Sequence, residues 1–346
     1  MVRRHAYLAA FQQGDPMRRT WLRSLAAIAC CLASSTLTWA QAPASTSAWP
    51  NKPIRWVIPY TPGGLTDSTT RMVIQKVQEL TGWQIVMENK PGANSLLGSE
   101  FVARAQPDGY TFLTVIAAHA ANATLYAGRM PYDPVKSFAP VSVVGITPLI
   151  LTASNNFPVK DVRELISYAK ANPDKVSFGS SGIGAAAHLT TEFLKLNTGT
   201  QMVHVPYKGT APALQDLMGN SIQILVDTPV SLMPHVRSGK IKALGMFSSK
   251  RIPSAPEVPT LAEAGGPPLE ASTWVLFLAP AGVPKEIVAR LSAETARALN
   301  SPDLRARFEA LGLEPVGSTP DQAVKFLDDE IVKWGKVITS AGVKAE

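Results

Sequence analysis

The stretch Trp56-Val57-Ile58-Pro59-Tyr60-Thr61-Pro62-Gly63-Gly64-Leu65-Thr66-Asp67 sets the reading of the chain. It begins as an apolar run, breaks at Pro62-Gly63-Gly64, and resumes with helix-spaced apolar residues through Leu80. That pattern predicts a buried strand, a tight loop and a helix. Thr66 or Asp67 falls at or near the helix N-cap, where a side-chain oxygen accepts an otherwise unpaired N–H. Glycines lack the Cβ that would keep an outside group from main-chain amides. With the positive end of a helix dipole behind them, such amides suit a carboxylate or a phosphate. The same pattern also serves as an ordinary strand-to-helix turn in many α/β folds.

The rhythm repeats outward from this point. Strands are predicted over 54–60, 84–88 and 111–116, with helices over 68–80 and from the 89–95 loop to about 105. The third strand ends in Ala117-Ala118-His119. The apolar segment 141–152, broken at Pro148, reads as the crossover into a second lobe. There the strand over 176–179 runs into Ser180-Ser181-Gly182-Ile183-Gly184, that over 202–207 into Lys208-Gly209-Thr210, and that over 222–226 into Asp227-Thr228-Pro229. Helices over 162–171, 188–196 and 211–218 alternate with them, and 241–247 is a further strand. A proline-rich connection, 250–272, leads to a returning strand over 274–279 and to helices over 285–300 and 320–341. Strands alternating with helices predict α/β architecture with parallel sheets. In such sheets ligands sit beyond the carboxyl ends of the strands, where every one of these loops lies.

Composition supports two ordinary domains: the chain has 346 residues, of which 46% are hydrophobic and 17% charged. Arg18, Arg19 and Arg23, the uncharged run 24–37 and Thr38-Trp39-Ala40 together read as a cleaved export signal over 1–40. Met17 is an alternative start, and 41–52 is a flexible lead-in. Cys30 and Cys31, the only cysteines, lie inside the signal. The mature chain therefore has no disulfide, thiolate metal site or cysteine nucleophile. A lipidated Cys30 is the competing reading, with a short apolar run before it. Residues 1–40 hold five arginines and one acid, so the net charge of +7 falls to +3 on cleavage (7 − 4 = 3). No basic patch interleaved with aromatics points to nucleic acid.

The same loops approach two enzyme motifs without completing either. A nucleophile elbow needs Gly-x-Ser-x-Gly, and Gly179-x-Ser181 is followed by Ile183. Gly182-x-Gly184-x-x-Ala187 resembles a dinucleotide fingerprint, but the following strand ends without the acid that holds a ribose. The five histidines, His5, His119, His188, His204 and His235, have no metal-ligand spacing. His119 and His188 follow strand-end loops and are weak pocket candidates; His204 reads as a core or hydrogen-bonding residue. Asp227 ends an apolar strand, where a charge needs a hydrogen-bonding purpose. It holds a water, accepts from a ligand hydroxyl, or caps the next helix.

Ordered motifs then carry a resemblance that spans Trp49 to the C-terminus. They are Trp49-Pro50-x-Lys52-Pro53-Ile54, Pro62-Gly63-Gly64-x-Thr66-Asp67, Glu88-Asn89-Lys90-Pro91-Gly92-Ala93, Pro107-Asp108-Gly109-Tyr110-Thr111, Pro131-Tyr132-Asp133-Pro134, Val203-His204-Val205-Pro206-Tyr207-Lys208-Gly209 and Val258-Pro259-Thr260-x-x-Glu263-Ala264-Gly265. The chain resembles the extracytoplasmic solute receptors of tripartite tricarboxylate transporters, the Bordetella uptake gene family. The resemblance implies a two-lobed α/β periplasmic binding protein, a type II-like clamshell in which each lobe is a mixed, mostly parallel sheet flanked by helices. Lobe I is expected over 53–145 and 255–346, lobe II over 146–254, with the hinge near 141–148 and 247–275. It implies a periplasmic, monomeric, non-enzymatic receptor without cofactor or metal that takes a small carboxylate and delivers it to membrane permease subunits. Carried onto this sequence, Tyr60, Thr61, Gly63, Gly64, Thr66 and Asp67 hold the ligand carboxylate from one lobe. Ser180, Ser181, Gly182, Gly184, Gly209, Thr210 and Asp227 contribute from the other. Ala118, His119, Thr228 and Trp274 meet the ligand's free end. Ala185-Ala186-Ala187 stand where many members carry Ser or Thr, and Leu65 replaces a usually small residue. Both departures lead us to expect a ligand with one held carboxylate and an apolar or aromatic body rather than citrate. A secreted hydrolase using Ser181 or Asp227, and an orphan receptor used for signalling, are the rival readings.

Overall fold

The computed structural model describes residues 49–345. The expected export signal and most of the lead-in lie outside them. Apolar alternation and helical spacing resolve into strands β1 (Ile54–Ile58), β2 (Ile85–Asn89), β3 (Thr111–Ile116), β4 (Phe138–Pro148) and β5 (Ile150–Ser154). They continue through β6 (Ser177–Ser180), β7 (Val203–Pro206), β8 (Ile224–Asp227), β9 (Ile241–Met246), β10 (Ser272–Pro280) and β11 (Glu314–Pro315). The helices are α1 (Leu65–Thr81), α2 (Leu96–Ala103), α3 (Ala118–Leu125), α4 (Val162–Ala171) and α5 (Ala186–Thr198). They are followed by α6 (Thr210–Met218), α7 (Pro229–Arg237), α8 (Lys285–Leu299), α9 (Pro302–Ala310) and α10 (Pro320–Ala341).

The strands form two sheets, in the orders β11-β4-β10-β3-β1-β2 and β7-β6-β8-β5-β9. Each has a parallel trio, β2-β1-β3 and β7-β6-β8. Beside each trio lies an antiparallel strand that the chain has just brought from the other lobe, β10 in the first sheet and β5 in the second. The two lobes therefore share one strand order, a structural repeat too long and too divergent to read as a sequence period. The first crossing is made at Leu149, between β4 and β5. It is locked to the return path by a closed ring of main-chain hydrogen bonds. Leu149 donates to Ala271 (3.1 Å), Ala271 to Phe247 (3.1 Å) and Phe247 to Leu149 (2.8 Å). Part of the proline-rich connection packs with the second sheet, where Ala255 and Val258 join Ile150, Leu214 and Leu232.

Core packing fixes which loops face inward. Trp56 is fully buried, stacks on Phe112 at 5.4 Å, meets Phe277 edge-on at 4.5 Å and donates its indole N–H to Thr114 (2.8 Å). Burying such rings stabilises the fold by about 1.5–3 kcal/mol each. With β1 pinned, its carboxyl end must deliver Tyr60 and Thr61 to the sheet edge. Helix α10 packs on α3 and β4 of one lobe and on α5 of the other, so it spans both. Three helices went unread in the sequence. Helices α3 and α7 are only eight and nine residues long, and α9 is nine residues with few apolar positions. The segment 141–152 is two strands meeting at the crossing rather than one connector.

Candidate functional site

The loops at the carboxyl ends of β1, β3, β6, β7 and β8 meet between the lobes around a cleft of about 690 Å³. Of the residues expected there, Tyr60, Thr61, Gly63, Gly64, Thr66, Ala118, Ser181, Gly209, Thr210, Asp227 and Thr228 line it. The others stand behind the wall. Asp67, 3% exposed, is not an N-cap: Gly64 caps α1 in extended conformation, and Asp67 sits in the first turn. Its carboxylate accepts from Gly63 N–H (3.0 Å), Arg71 Nε (2.9 Å) and Asn89 Nδ2 (2.8 Å). Asn89 also donates to the Tyr60 carbonyl (3.0 Å), so this network ties the first loop to the end of β2. Burial alone would raise the Asp67 pKa, but hydrogen bonds from Arg71, Gly63 and Asn89 prevail and hold it below the usual value.

The second-lobe loop is held in the same way. Ser180 is fully buried; its hydroxyl lies 2.7 Å from His204 Nε2 and donates to the Gly182 carbonyl (3.0 Å), while Gly182 N–H reaches it at 3.2 Å. Gly184 N–H donates to His188 Nδ1 (3.1 Å), which requires the proton of neutral His188 to be on Nε2. The His188 and His204 rings stack at 3.7 Å. Burial lowers the His188 pKa to about 3, with further lowering from His204 and Lys195, and lowers that of His204 to about 4. The amides of Gly63, Gly182 and Gly184, expected to face a ligand, are therefore engaged by side chains of their own lobes. His119 likewise turns inward: it is fully buried, its Nε2 is 2.9 Å from the Pro134 carbonyl, and burial lowers its pKa to about 4. Trp274 also points into the core, donating to Glu330 (2.7 Å), and its strand neighbour Thr273 reaches the cleft instead. Period-2 alternation at the end of β10 explains the exchange.

What the cleft offers an anion comes from helix starts. The first residues of α1, α3, α5 and α6 line it, as do Val230 and Ser231 in the first turn of α7, and none of these helices has a side chain capping its first-turn amides. The side-chain caps among the described residues, Asp161 on α4 and Thr319 on α10, are on helices that begin elsewhere. Uncapped first turns leave N–H groups unpaired and carry the positive end of the dipole. Helix α7 is the exception. It opens with Pro229, and Asp227 Oδ1 already accepts Thr228 N–H (2.7 Å). Asp227 Oδ2 accepts the Thr210 hydroxyl (2.6 Å), and burial raises its pKa despite these hydrogen bonds. The one cationic side chain on the wall among the described residues is the exposed Lys208.

Sequence reasoning missed Asn94, Ile116, Leu149, Val230, Ser231, Thr273 and Leu311 on the wall. The loop signal at 89–95 could have found Asn94; Leu149 and Leu311 have none, because the fold alone brings them there. Gly184 and Leu125 meet between the lobes outside the cleft lining, for a Cβ on Gly184 would lie 2.3 Å from Leu125 Cδ1.

Comparison with known proteins agrees with this geometry. Residues 69–343 match the model of the tripartite tricarboxylate transporter family receptor. Protein BugT of Bordetella pertussis is 35% identical over 327 residues, covering 93% of this chain and 98% of its own. Among solved structures, R. palustris Rpa4515 with adipate is 35% identical with a TM-score of 0.78, covering 86% of this chain and 99% of its own. MatC from Rhodopseudomonas palustris with bound malate is 33% identical with a TM-score of 0.74, covering 84% and 100%. With the shared strand order and the cleft between its two lobes, the chain belongs to the tripartite tricarboxylate transporter receptor family.

Proposed function

We propose that the protein captures a small carboxylate in this cleft, outside the cytoplasm, and hands it to the membrane subunits of a transporter. One observation carries the reading: several uncapped helix starts converge on a cleft whose only cation among the described residues is Lys208. Oriented amides hold a carboxylate without the desolvation cost of burying an arginine or lysine with it. Adipate and malate in the two solved relatives support the ligand class. In this reading Tyr60, Thr61, Gly64, Thr66, Ser181, Gly209 and Thr210 contact the ligand. Gly63, Asp67, Ser180, Gly182, Gly184 and His188 position the loops that do.

The lobes, 49–148 with 272–345 and 150–246, close over the ligand about the Leu149–Phe247–Ala271 ring. Closure is favoured to the extent that the ligand binds the closed form more tightly. The receptor is exported by the 1–40 signal, works as a monomer and performs no chemistry. Ser180, the serine with a histidine at hydrogen-bond distance, is sealed from the cleft, and Ser181, which lines it, has no histidine hydrogen bond among the described residues. Titration calorimetry with a panel of carboxylic acids tests the proposal. One-to-one saturable binding without product is the expected result; ester or amide turnover, or indifference to every acid, overturns it.

A further inference from the structure

An acid, Asp227, stands in the wall of the cleft at the carboxyl end of β8. Its hydrogen-bond partners among the described residues are neutral: Oδ1 accepts Thr228 N–H (2.7 Å) and Oδ2 accepts the Thr210 hydroxyl (2.6 Å). Thr210 is also the first residue of α6, whose first-turn amides have no side-chain cap. One hydroxyl thus joins the acid to a helix start open to an anion. A carboxylate held at that start lies close to Asp227, and two carboxylates at close range do not both stay ionised without cost.

The direction of one hydrogen bond decides what Thr210 can offer. A hydroxyl has a single proton to donate. While Asp227 is ionised, that proton is spent on Oδ2, and Thr210 is left with lone pairs only. A proton on Oδ2 reverses the bond. Asp227 then donates to Thr210 Oγ1, and the Thr210 O–H is free to donate to a ligand oxygen. Oδ1 keeps the Thr228 N–H in either state. Protonation therefore removes a like charge and supplies a donor in one step. Burial acts in the same direction by raising the Asp227 pKa.

The surroundings of Asp227 supply no fixed positive charge that would keep it ionised. Among the described residues, the other ionisable groups on the cleft wall are Tyr60 and Lys208. The Tyr60 hydroxyl is buried, which raises its pKa and keeps it neutral, and Lys208 is exposed to solvent. The strands beside β8, β5 and β6, carry no ionisable side chain. On α6, Asp216 accepts the Tyr207 hydroxyl (2.6 Å). On α5, Glu192 pairs with Lys195 (2.8 Å) and faces His188. His235 and Arg237 belong to the last turn of α7, away from its start beside Asp227.

We infer that Asp227 takes up a proton as the carboxylate enters, so that the cleft captures the acid anion and a proton together. The inference rests on the carboxylate-receptor reading above and adds a second ligand to it. Titration calorimetry with adipate, malate and hexanoate at about pH 6.5, in two buffers of unlike ionisation enthalpy, counts the protons exchanged. The acids are ionised at that pH, so uptake reports on the protein. An acid that binds should bring in about half a proton or more, and its Kd should rise about threefold or more between about pH 6.5 and about pH 8. Asp227→Asn reproduces the protonated arrangement, since its amide donates to Thr210 and its carbonyl accepts from Thr228. It should bind without proton exchange, and at about pH 8 as tightly as wild type does at about pH 6.5. Binding by wild type with no uptake, or with release, would overturn this inference and leave the receptor reading standing; that count needs no variant. Uptake that persists in Asp227→Asn would also overturn it. Failure of all three acids would remove both readings.

Discussion

At the scale of single residues, Asp67 and Gly184 do most to shape the site without lining it. Asp67 draws Gly63, Arg71 and Asn89 together, and Gly63 starts the turn that aims the first helix at the cleft. Asp67→Ala leaves a guanidinium and an amide without their acceptor, which should cost about 1–3 kcal/mol of stability in denaturant melts. It should also weaken carboxylate binding about tenfold, read by calorimetry. Because the Asp67 pKa is held low, its share of stability is present above the ordinary carboxylate value, about 3.9, and is lost as pH falls below it. Gly184 has φ +75°, a conformation L side chains rarely adopt, and lies against Leu125 of the other lobe. Gly184→Ala should cost about 1–2 kcal/mol from the left-handed backbone alone. It should also weaken ligand binding, since Leu125 must move before the lobes can meet; an unchanged Kd would show that this contact is unimportant to closure.

At the scale of elements, α10 is fastened beneath the cleft by a buried acid. Glu330 Oε2 accepts the indole N–H of Trp274 on β10 (2.7 Å) and of Trp334 one turn along (2.8 Å). Helix α10 has a full capping box at Thr319 and Gln322, so its start is stable by local means, and Glu330 sets its position on the sheet. Glu330→Leu strands two buried donors, each worth about 1–3 kcal/mol. A fall in melting temperature is expected, and Glu330→Gln should recover part of it because its carbonyl still accepts. Thr273 follows from the same strand alternation that buries Trp274, so displacement of α10 should also be felt at the cleft wall.

At the scale of the whole molecule, three histidines, His119, His188 and His204, are packed in neutral form, with pKa values lowered to about 4, about 3 and about 4. An unfolded chain takes up protons at these positions near the usual value of about 6.5, whereas the native state resists until well below it. Unfolding thus gains protons throughout that window, so stability is full above about pH 6.5 and falls as pH drops toward about 4. The charged and titratable groups around the stacked pair, Glu192 and Lys195 on α5, do not reverse the direction. Melting temperatures from pH 7 to pH 4 should decline, and His188→Gln should flatten the slope; a flat wild-type profile would mean that these rings are hydrated in solution.

Sequence alone determined the alternation of strand, loop and helix, and with it the α/β class and the loops able to meet at the strand ends. Those features follow from local rules: apolar period and glycine turns. It also named Tyr60, Thr61, Gly64, Ser181, Gly209 and Thr210 on the wall, because each sits in such a loop. Tertiary structure decided which groups in those loops remain available. Gly63, Gly182 and Gly184 turn their amides to Asp67, Ser180 and His188, partners only two to four residues away whose engagement depends on the loop conformation and side-chain rotamer, neither of which residue type records. It also decided that Leu149, Thr273 and Leu311, widely separated in the chain, line one cleft, since β4, β10 and β11, the strand that follows α9, are neighbours in one sheet. A periodic pattern records which face of an element is buried; it does not record which distant element the chain folds back to meet.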